Sequence, residues 1–383
     1  MRKVVVAGVG MTVFGRFPEK TVEELGAVAS LRALKDAGLQ PADIQIAYVG
    51  NLTEHRVTGH NSCLGQEILK DVGIHKIPIT RTEAACASGA CAFREAWMAV
   101  GSGLYDIALA LGVEKLTGAG HAPLTRQGLN INGLAGLHPP GWWASRAVRH
   151  MAQYGTTIEQ LALVSVKNHA NGCLDPYSQF QKKFTVQEIQ QSDMIAEPLR
   201  TLHMCPISDG GAAAVLCSEE VARRLTTRPV YVAASALTSL TYLQQEDMTF
   251  NDLERRAAQQ AYEMAALGPE DLAFAEVHDC FTIAEVTRCE SLGFCERGEY
   301  CHHLEEGKWS LGGKFPVNPS GGLLSKGHPV GATGVAQICE LTWHLRGEAG
   351  ERQVPGATAA LGHVSGGTVA GLNGACSVVI LKT

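Results

Sequence analysis

The feature that most constrains this chain is a recurring alternation of short, uniformly apolar runs with amphipathic helical patterns. Residues Val4–Val9 (VVVAGV) carry no polar position on either face, so they predict a strand buried on both sides and not one half open to water. Thr21-Val22-Glu23-Glu24 is a capping-box pattern that opens a helix closing at Gly38, with Leu25, Val28, Leu31 and Leu34 on a slowly drifting face. A strand-like RTEAACASG, a helix from about Ala90 to Val100 and a second buried run at Ile107–Val113 follow. Strands of this kind need helices on both faces, which points to an α/β fold.

The pattern breaks at residues 117–150, rich in Gly, Pro and His and carrying Trp142-Trp143, before a helix-like EQLALVSVKNHA at 159–170. Regular patterning returns at Asp209 (DGGAAAVLCSEE), and the tail Leu372–Lys382 resembles that segment, with small residues followed by a hydrophobic strand. CASGACAFREAW and GHPVGATGVAQICEL each set a reactive side chain before a glycine-rich helix start, which suggests an internal duplication. The expected organisation is an N-terminal half of residues 1–117 plus about 190–228, an inserted loop or lid domain at 118–189, and a C-terminal half at 229–383. Gly8, Gly10 and Gly15 miss the spacing of a dinucleotide-binding loop, so no nicotinamide site is expected.

Composition narrows the function classes. With 32 basic against 38 acidic residues and a formal charge of −6, the chain lacks the basic footprint of a nucleic-acid surface. Its 12 cysteines follow no disulfide framework and read as reduced, intracellular thiols. The N-terminus reads as a first strand and not a signal, and no run approaches the ~18 apolar residues of a membrane span. A soluble, cytoplasmic protein that uses neither membrane nor nucleic acid is expected.

Three places could carry chemistry. Cys86 precedes a helix, where free N–H groups and the helix dipole favour thiolate, although a cysteine among alanines also fits a small core position. His328, between Gly327 and Pro329, sits on a rigid turn suited to a fixed general base. His278 and Cys280, two apart in an extended VHDCFT, would point to the same side. Cys289, Cys295, Cys301, His302 and His303 offer zinc-ligand types, but their spacing matches no closed site and no metal is expected. Trp142, Trp143 and Arg146, with Arg149 and His150 nearby, could shape a pocket for an acyl tail or simply pack.

Taken together, ACASGA around Cys86, HDCF at 278–281 and NPSGGLLSKGHPVGATG around His328 resemble the thiolase superfamily, in the sterol-carrier-protein-type and archaeal-type branch that carries HDCF where typical thiolases carry NEAF. The resemblance spans essentially the whole chain. It implies two duplicated βαβαβαββ halves in a layered α/β/α/β/α arrangement with an inserted loop domain. It implies acyl transfer between coenzyme A thioesters, by thiolytic cleavage of a 3-oxoacyl-CoA or the reverse Claisen condensation. Coenzyme A would be substrate, with no resident cofactor.

Carried over by the same resemblance, Cys86 would be the nucleophile, His328 its base, Cys280 the second acid/base, and His278 the donor to the thioester oxygen. The N–H groups of Cys86 and Gly366 would receive the oxyanion. Typical thiolases place their second cysteine near the C-terminus; His363 stands at about that point here, so a role for it is open. Relatives work as homodimers or dimers of dimers, some beside a small OB-fold protein with a zinc ribbon. The rival readings are a retro-aldol lyase on a CoA thioester and a non-catalytic thiolase-fold subunit.

Overall fold

The computed structural model describes residues 1–54, 62–118, 138–240, 247–369 and 372–383. The apolar runs form the strands β1 (Val4–Met11), β2 (Ile46–Gly50), β3 (Ile79–Thr82), β4 (Ile107–Glu114), β7 (Gly210–Ser218), β8 (Val230–Ser239), β9 (Phe274–Val277), β10 (Ala359–Val369) and β11 (Leu372–Lys382), with a separate hairpin of β5 (Met194–Ala196) and β6 (Leu199–Arg200). The longer helices are α1 (Val22–Ala37), α2 (Leu64–Val72), α3 (Ser88–Gly101), α4 (Pro139–Tyr154), α5 (Ile158–Gly172), α6 (Asp252–Ala265), α7 (Thr282–Ser291) and α9 (Thr333–Arg346), with the short α8 (Gly322–Lys326) just before the last.

Nine strands join in the order β3-β2-β4-β7-β1-β8-β11-β10-β9. Two halves of one pattern are visible in it. In the first, β3, β2 and β4 run parallel and β7 lies antiparallel between β4 and β1. In the second, β9 and β10 run parallel and β11 lies antiparallel between β10 and β8. The counterpart of β3 has shrunk to one parallel bridge, Val317 to Ala275. The halves meet where β1 pairs with β8 at Val5–Tyr231 and Val6–Val230.

Side-chain alternation sorts the layers. Val5 and Ala7 of β1 pack with Val22, Leu25 and Ala29 of α1, whereas Val4 and Val6 pack with Phe93 of α3 and Val335 of α9. On β11, Val378 and Ile380 meet Leu253 and Ala257 of α6, whereas Val379 and Leu381 return to the α3–α9 core. The two halves therefore share α3 and α9 as a central layer, with other helices outside, which is the layered α/β arrangement expected. Each fully buried Val or Leu contributes roughly 1.5–3 kcal/mol to this packing.

Several local expectations need correction. On α1, Leu25 and Leu34 are buried but Val28 and Leu31 are exposed. A strict three-residue step drifts off a 3.6-residue helix, and Ala29, Ala33 and Ala37 complete the buried stripe. Those alanines let the backbone close on the sheet: a Cβ at Gly8 would stand 2.3 Å from Ala37 N. The strand expected through RTEAACASG ends at Thr82, and α3 begins at Ser88 after a 3-10 turn at Ala85–Ala87. Within the irregular stretch, α4 is a regular helix opened by Pro139-Pro140, a placement that forfeits no helical N–H bond; residues 119–137 lie outside the described residues. No helix among the described residues is long and apolar enough to cross a membrane.

Candidate active site

Cys86 sits on the turn between β3 and α3. Ser88 ties that turn together, accepting from Ala84 N–H at 3.0 Å and donating to Ala85 O at 2.6 Å. Ala85 holds φ +50°, a left-handed conformation that is uncommon for a residue with a Cβ and costs roughly 1–3 kcal/mol. Strand β10 lies directly on the turn: a Cβ at Gly366 would be 2.0 Å from Ala84 O. A Cβ at Gly89 would meet Gly331 O at 2.4 Å, and one at Gly334 would meet Ala90 N at 2.5 Å. The glycine-rich starts of α3 and α9 thus exist because the two central helices touch backbone to backbone, and that contact brings Cys86 and His328 together.

His328 Nε2 lies 3.3 Å from Cys86 Sγ. On the far side of the ring, Nδ1 stands 2.7 Å from Thr333 Oγ1, whose own proton is directed to Pro329 O at 3.0 Å. Thr333 can then only accept, so Nδ1 carries the proton and Nε2 presents its lone pair to the thiol. The loop is pinned by Ser208 Oγ, which accepts from His328 N–H, and by Glu114, which accepts from Gly331 N–H. Burial pushes the Cys86 thiol up to about 12 and the His328 imidazole down to about 3. Desolvation therefore outweighs the helix-terminus effect expected to favour thiolate, and the resting pair is neutral thiol and neutral base. The backbone N–H that reaches Cys86 is that of Gly367, one residue beyond Gly366.

The HDCF segment leaves β9 and is locked by Asp279, whose carboxylate accepts from Leu323 N–H (2.6 Å), Leu324 N–H (3.3 Å) and Asn168 Nδ2 (2.7 Å). The His278 ring meets the His328 ring edge-on with centroids 4.9 Å apart. Its Nδ1 accepts from Ser365 N–H at 3.2 Å, which places the ring proton on Nε2. That buried Nε2 has no hydrogen-bond partner among the described residues. Burial and the nearby Arg288 cation hold His278 well below its ordinary value, so it is a neutral donor. Cys86 Sγ and a ring nitrogen each of His278 and His328 all lie within 4.8 Å of one another.

Half-buried Cys280 receives Arg288 Nη1 at 3.6 Å on its sulfur. Burial raises this thiol above its ordinary value, and Arg288 opposes the rise. Cys205 N–H donates to Cys280 O at 3.0 Å beside the antiparallel Met204–Phe281 bridge, so Cys205 stands directly across from Cys280.

The sequence-derived candidates divide accordingly. Cys86, His328, His278 and Cys280 are gathered at one place. His363 is fully buried beneath it, with Nε2 3.2 Å from Ser365 Oγ, which in turn donates to Glu254. Trp143 is buried and stacks on Phe281 with centroids 5.7 Å apart, and the Arg146 guanidinium lies over Trp142 and Trp143 at 4.9 and 5.6 Å. These three back the HDCF segment as a packed wall. Cys289, Cys295, Cys301, His302 and His303 form no converging group; among the described residues only Cys86, His278 and His328 do. Thr333, Ser365, Gly367, Cys205 and Arg288 were missed from sequence. For Thr333, its place five residues after His328 at a helix start was a usable signal; the others depend on tertiary contacts.

Comparison with known proteins points to one family. Residues 4–220 match the thiolase N-terminal domain and 234–382 the thiolase C-terminal domain-like family. An acetyl-CoA acetyltransferase of Methanothermobacter thermautotrophicus is 45% identical over 96% of this chain and 97% of its own length. The benzoylsuccinyl-CoA thiolase subunit BbsB of Thauera aromatica is 40% identical, over 96% and 95%. Among solved structures, the Ltp2-ChsH2(DUF35) aldolase superposes with TM-score 0.84 at 27% identity, covering 98% of this chain and 97% of that one. With both family models matched across nearly its whole length and a cysteine–histidine pair joined at the contact of its two central helices, the chain belongs to the thiolase family.

Proposed function

We propose that the chain is a thiolase-type acyltransferase that cleaves a 3-oxoacyl-CoA with free coenzyme A or runs the reverse Claisen condensation. The observation that carries this reading is the oriented Cys86–His328–Thr333 array, with the unpartnered Nε2–H of His278 and the Cys280 thiol beside it. In the cleavage direction, Cys86 Sγ attacks the C3 carbonyl while His328 Nε2 takes the thiol proton. Backbone N–H groups around Cys86, including that of Gly367, receive the oxyanion.

As the C2–C3 bond breaks, its electron pair passes into the thioester enolate. The His278 Nε2–H holds the enolate oxygen, and Cys280 delivers its proton to C2. The Cys280 thiolate left behind takes the proton of the incoming coenzyme A thiol, whose sulfur attacks the acyl-Cys86 carbonyl, and Cys86 leaves and regains its proton from the His328 imidazolium. The same groups run backwards for condensation. Coenzyme A enters and leaves as substrate, and the reading requires no resident cofactor or metal.

The retro-aldol alternative needs no nucleophile at Cys86, and the assembled Cys86–His328 pair favours acyl transfer. The aldolase neighbour is named as a pair with a DUF35 protein, which supports a second protein working beside this chain; we take that partner to be of the small OB-fold, zinc-ribbon kind. We place the enzyme in the cytoplasm as a homodimer or dimer of dimers, with the Trp142, Trp143 and Arg146 wall behind the acyl-tail side of the pocket. Intact-protein mass spectrometry after mixing with a panel of acyl-CoAs and 3-oxoacyl-CoAs tests the reading. It expects an acyl adduct that maps to Cys86; no adduct on Cys86, with or without a co-purified partner, overturns it.

A further inference from the structure

Arg288 is buried, with 2% of its surface exposed, yet it touches no surface counter-ion and no expected catalytic role accounts for it. It stands on α7 two turns beyond Cys280. Nη1 reaches both Cys280 Sγ, at 3.6 Å, and the carbonyl oxygen of His278. Nε donates to Glu254 Oε1 at 3.0 Å, and the guanidinium lies 5.1 Å from the centroid of the Trp143 ring. Glu254 is held in turn by Ser365 Oγ at 2.9 Å, and Ser365 accepts from His363 Nε2. The buried cation is thus clamped from α6 and β10 and aimed at the end of the HDCF segment. Leaving a charge in such a place is costly unless it is paired, and a buried apolar residue would pack there without that cost.

We propose that Arg288 is a positioning residue for Cys280: its Nη1–H stabilises the thiolate form of that side chain and fixes the HDCF turn by bridging sulfur and backbone. The inference rests on the acyl-transfer reading. In condensation, the Cys280 thiolate accepts a proton from C2 of an acyl-CoA and becomes the thiol, while the C–H electron pair enters the enolate. In cleavage the S–H bond breaks, the proton goes to C2 and the pair stays on sulfur. Arg288 stands by the sulfur in both directions and neither gains nor loses a proton. The groups facing Cys280 are Asp279 before it, Glu254 on α6, Cys205 across the bridge, Cys86 on the turn after β3 and Arg288. Arg288 is the cation in this set, and Asp279 and Glu254 oppose it.

The test reads Cys280 in two ways. Iodoacetamide labelling of Cys280, followed by peptide mapping across pH, reports its thiolate without reference to acyl transfer. Deuterium uptake from D2O into the methyl group of acetyl-CoA reports its proton transfer. Arg288→Gln is expected to move the labelling midpoint up by about one pH unit or more, and to slow exchange about tenfold at neutral pH. Arg288→Lys should restore most of both. Because Arg288→Gln removes the cation that faces Glu254, Arg288→Gln/Glu254→Gln gives a neutral pair of similar size; with the opposing Glu254 charge also gone, its midpoint should still rise, by less than in Arg288→Gln. An unchanged or lowered midpoint in these variants overturns the proposal. Absence of Cys86 adduct and of exchange in the unaltered protein would instead overturn the acyl-transfer reading, while the labelling midpoints still decide the role of Arg288.

Discussion

Thr333 Oγ1 accepts the Nδ1 proton of His328 at 2.7 Å while giving its own proton to Pro329 O. A side chain at the first residue of α9 therefore decides which nitrogen of His328 faces Cys86. Thr333→Val keeps shape but removes the acceptor, so the ring is free to adopt the wrong tautomer. Acylation of Cys86 should slow about 10- to 100-fold, with Thr333→Ser close to the unaltered rate. Rapid-quench mass spectrometry of the acyl-enzyme measures this, and equal rates in Thr333→Val would show that the imidazole is oriented without the hydroxyl.

The neutral resting pair makes a pH prediction. The depressed His328 stays unprotonated through the range in which a free imidazole titrates, near 6.5, and Cys86 stays a thiol up to about 12. For a base whose value is lowered, activity is lost only when pH falls towards that lowered value, well below neutrality. The acylation rate should therefore be nearly level from about pH 5 to 8. A rate that falls through pH 6.5 would mean that a catalytic imidazole titrates there, as a solvent-exposed one does.

How much of this was legible in sequence depends on the range of the interaction involved. The Val4–Val9 strand, the Thr21 cap and the Gly38 stop are local, and each recurs in the structure as read. The pairing of the two halves was visible because small residues, CASGA and GATG, must open both central helices: Gly89 and Gly334 are where α3 and α9 approach backbone to backbone. By contrast, Val28 and Leu31 lie on the drifting three-residue row and end exposed, because the buried stripe is completed by Ala29, Ala33 and Ala37, whose small side chains carry little hydrophobic signal. The Arg288–Glu254–Ser365 chain joins residues 34 and 111 positions apart and has no local signature. The acidity of Cys86 was misjudged for a different reason: the helix-terminus effect is local, but the desolvation that defeats it depends on β10 lying over the turn.

That covering strand suggests a destabilising probe. Gly366→Ala would set a methyl group 2.0 Å from Ala84 O and 2.7 Å from Ala87 N, both backbone atoms that cannot swing aside. Either β10 or the Cys86 turn must shift. The cost should be about 1–3 kcal/mol, seen as a melting temperature lower by a few degrees, together with slower acylation. A variant that melts and acylates like the unaltered protein would show that the turn has room the packing denies.

The two thiols give the sharpest division of labour. Cys86→Ala removes the atom to which the acyl group is attached, and no adduct should form with any acyl-CoA. Cys280→Ala leaves the Cys86 Sγ–His328 Nε2 contact of 3.3 Å untouched, so a reactive thioester should still acylate Cys86 at a rate within about threefold of normal. What it should lose is proton transfer at C2: cleavage, condensation and deuterium uptake should each drop by about 100-fold or more. The contrast follows from placement, because Cys280 lies on the HDCF segment with its sulfur against Arg288, while Cys86 is held by His328. Acyl-enzyme accumulation in Cys280→Ala, with turnover abolished, is the expected signature in a mass-spectrometric time course. Loss of acylation in Cys280→Ala would instead make Cys280 part of the nucleophile's own machinery.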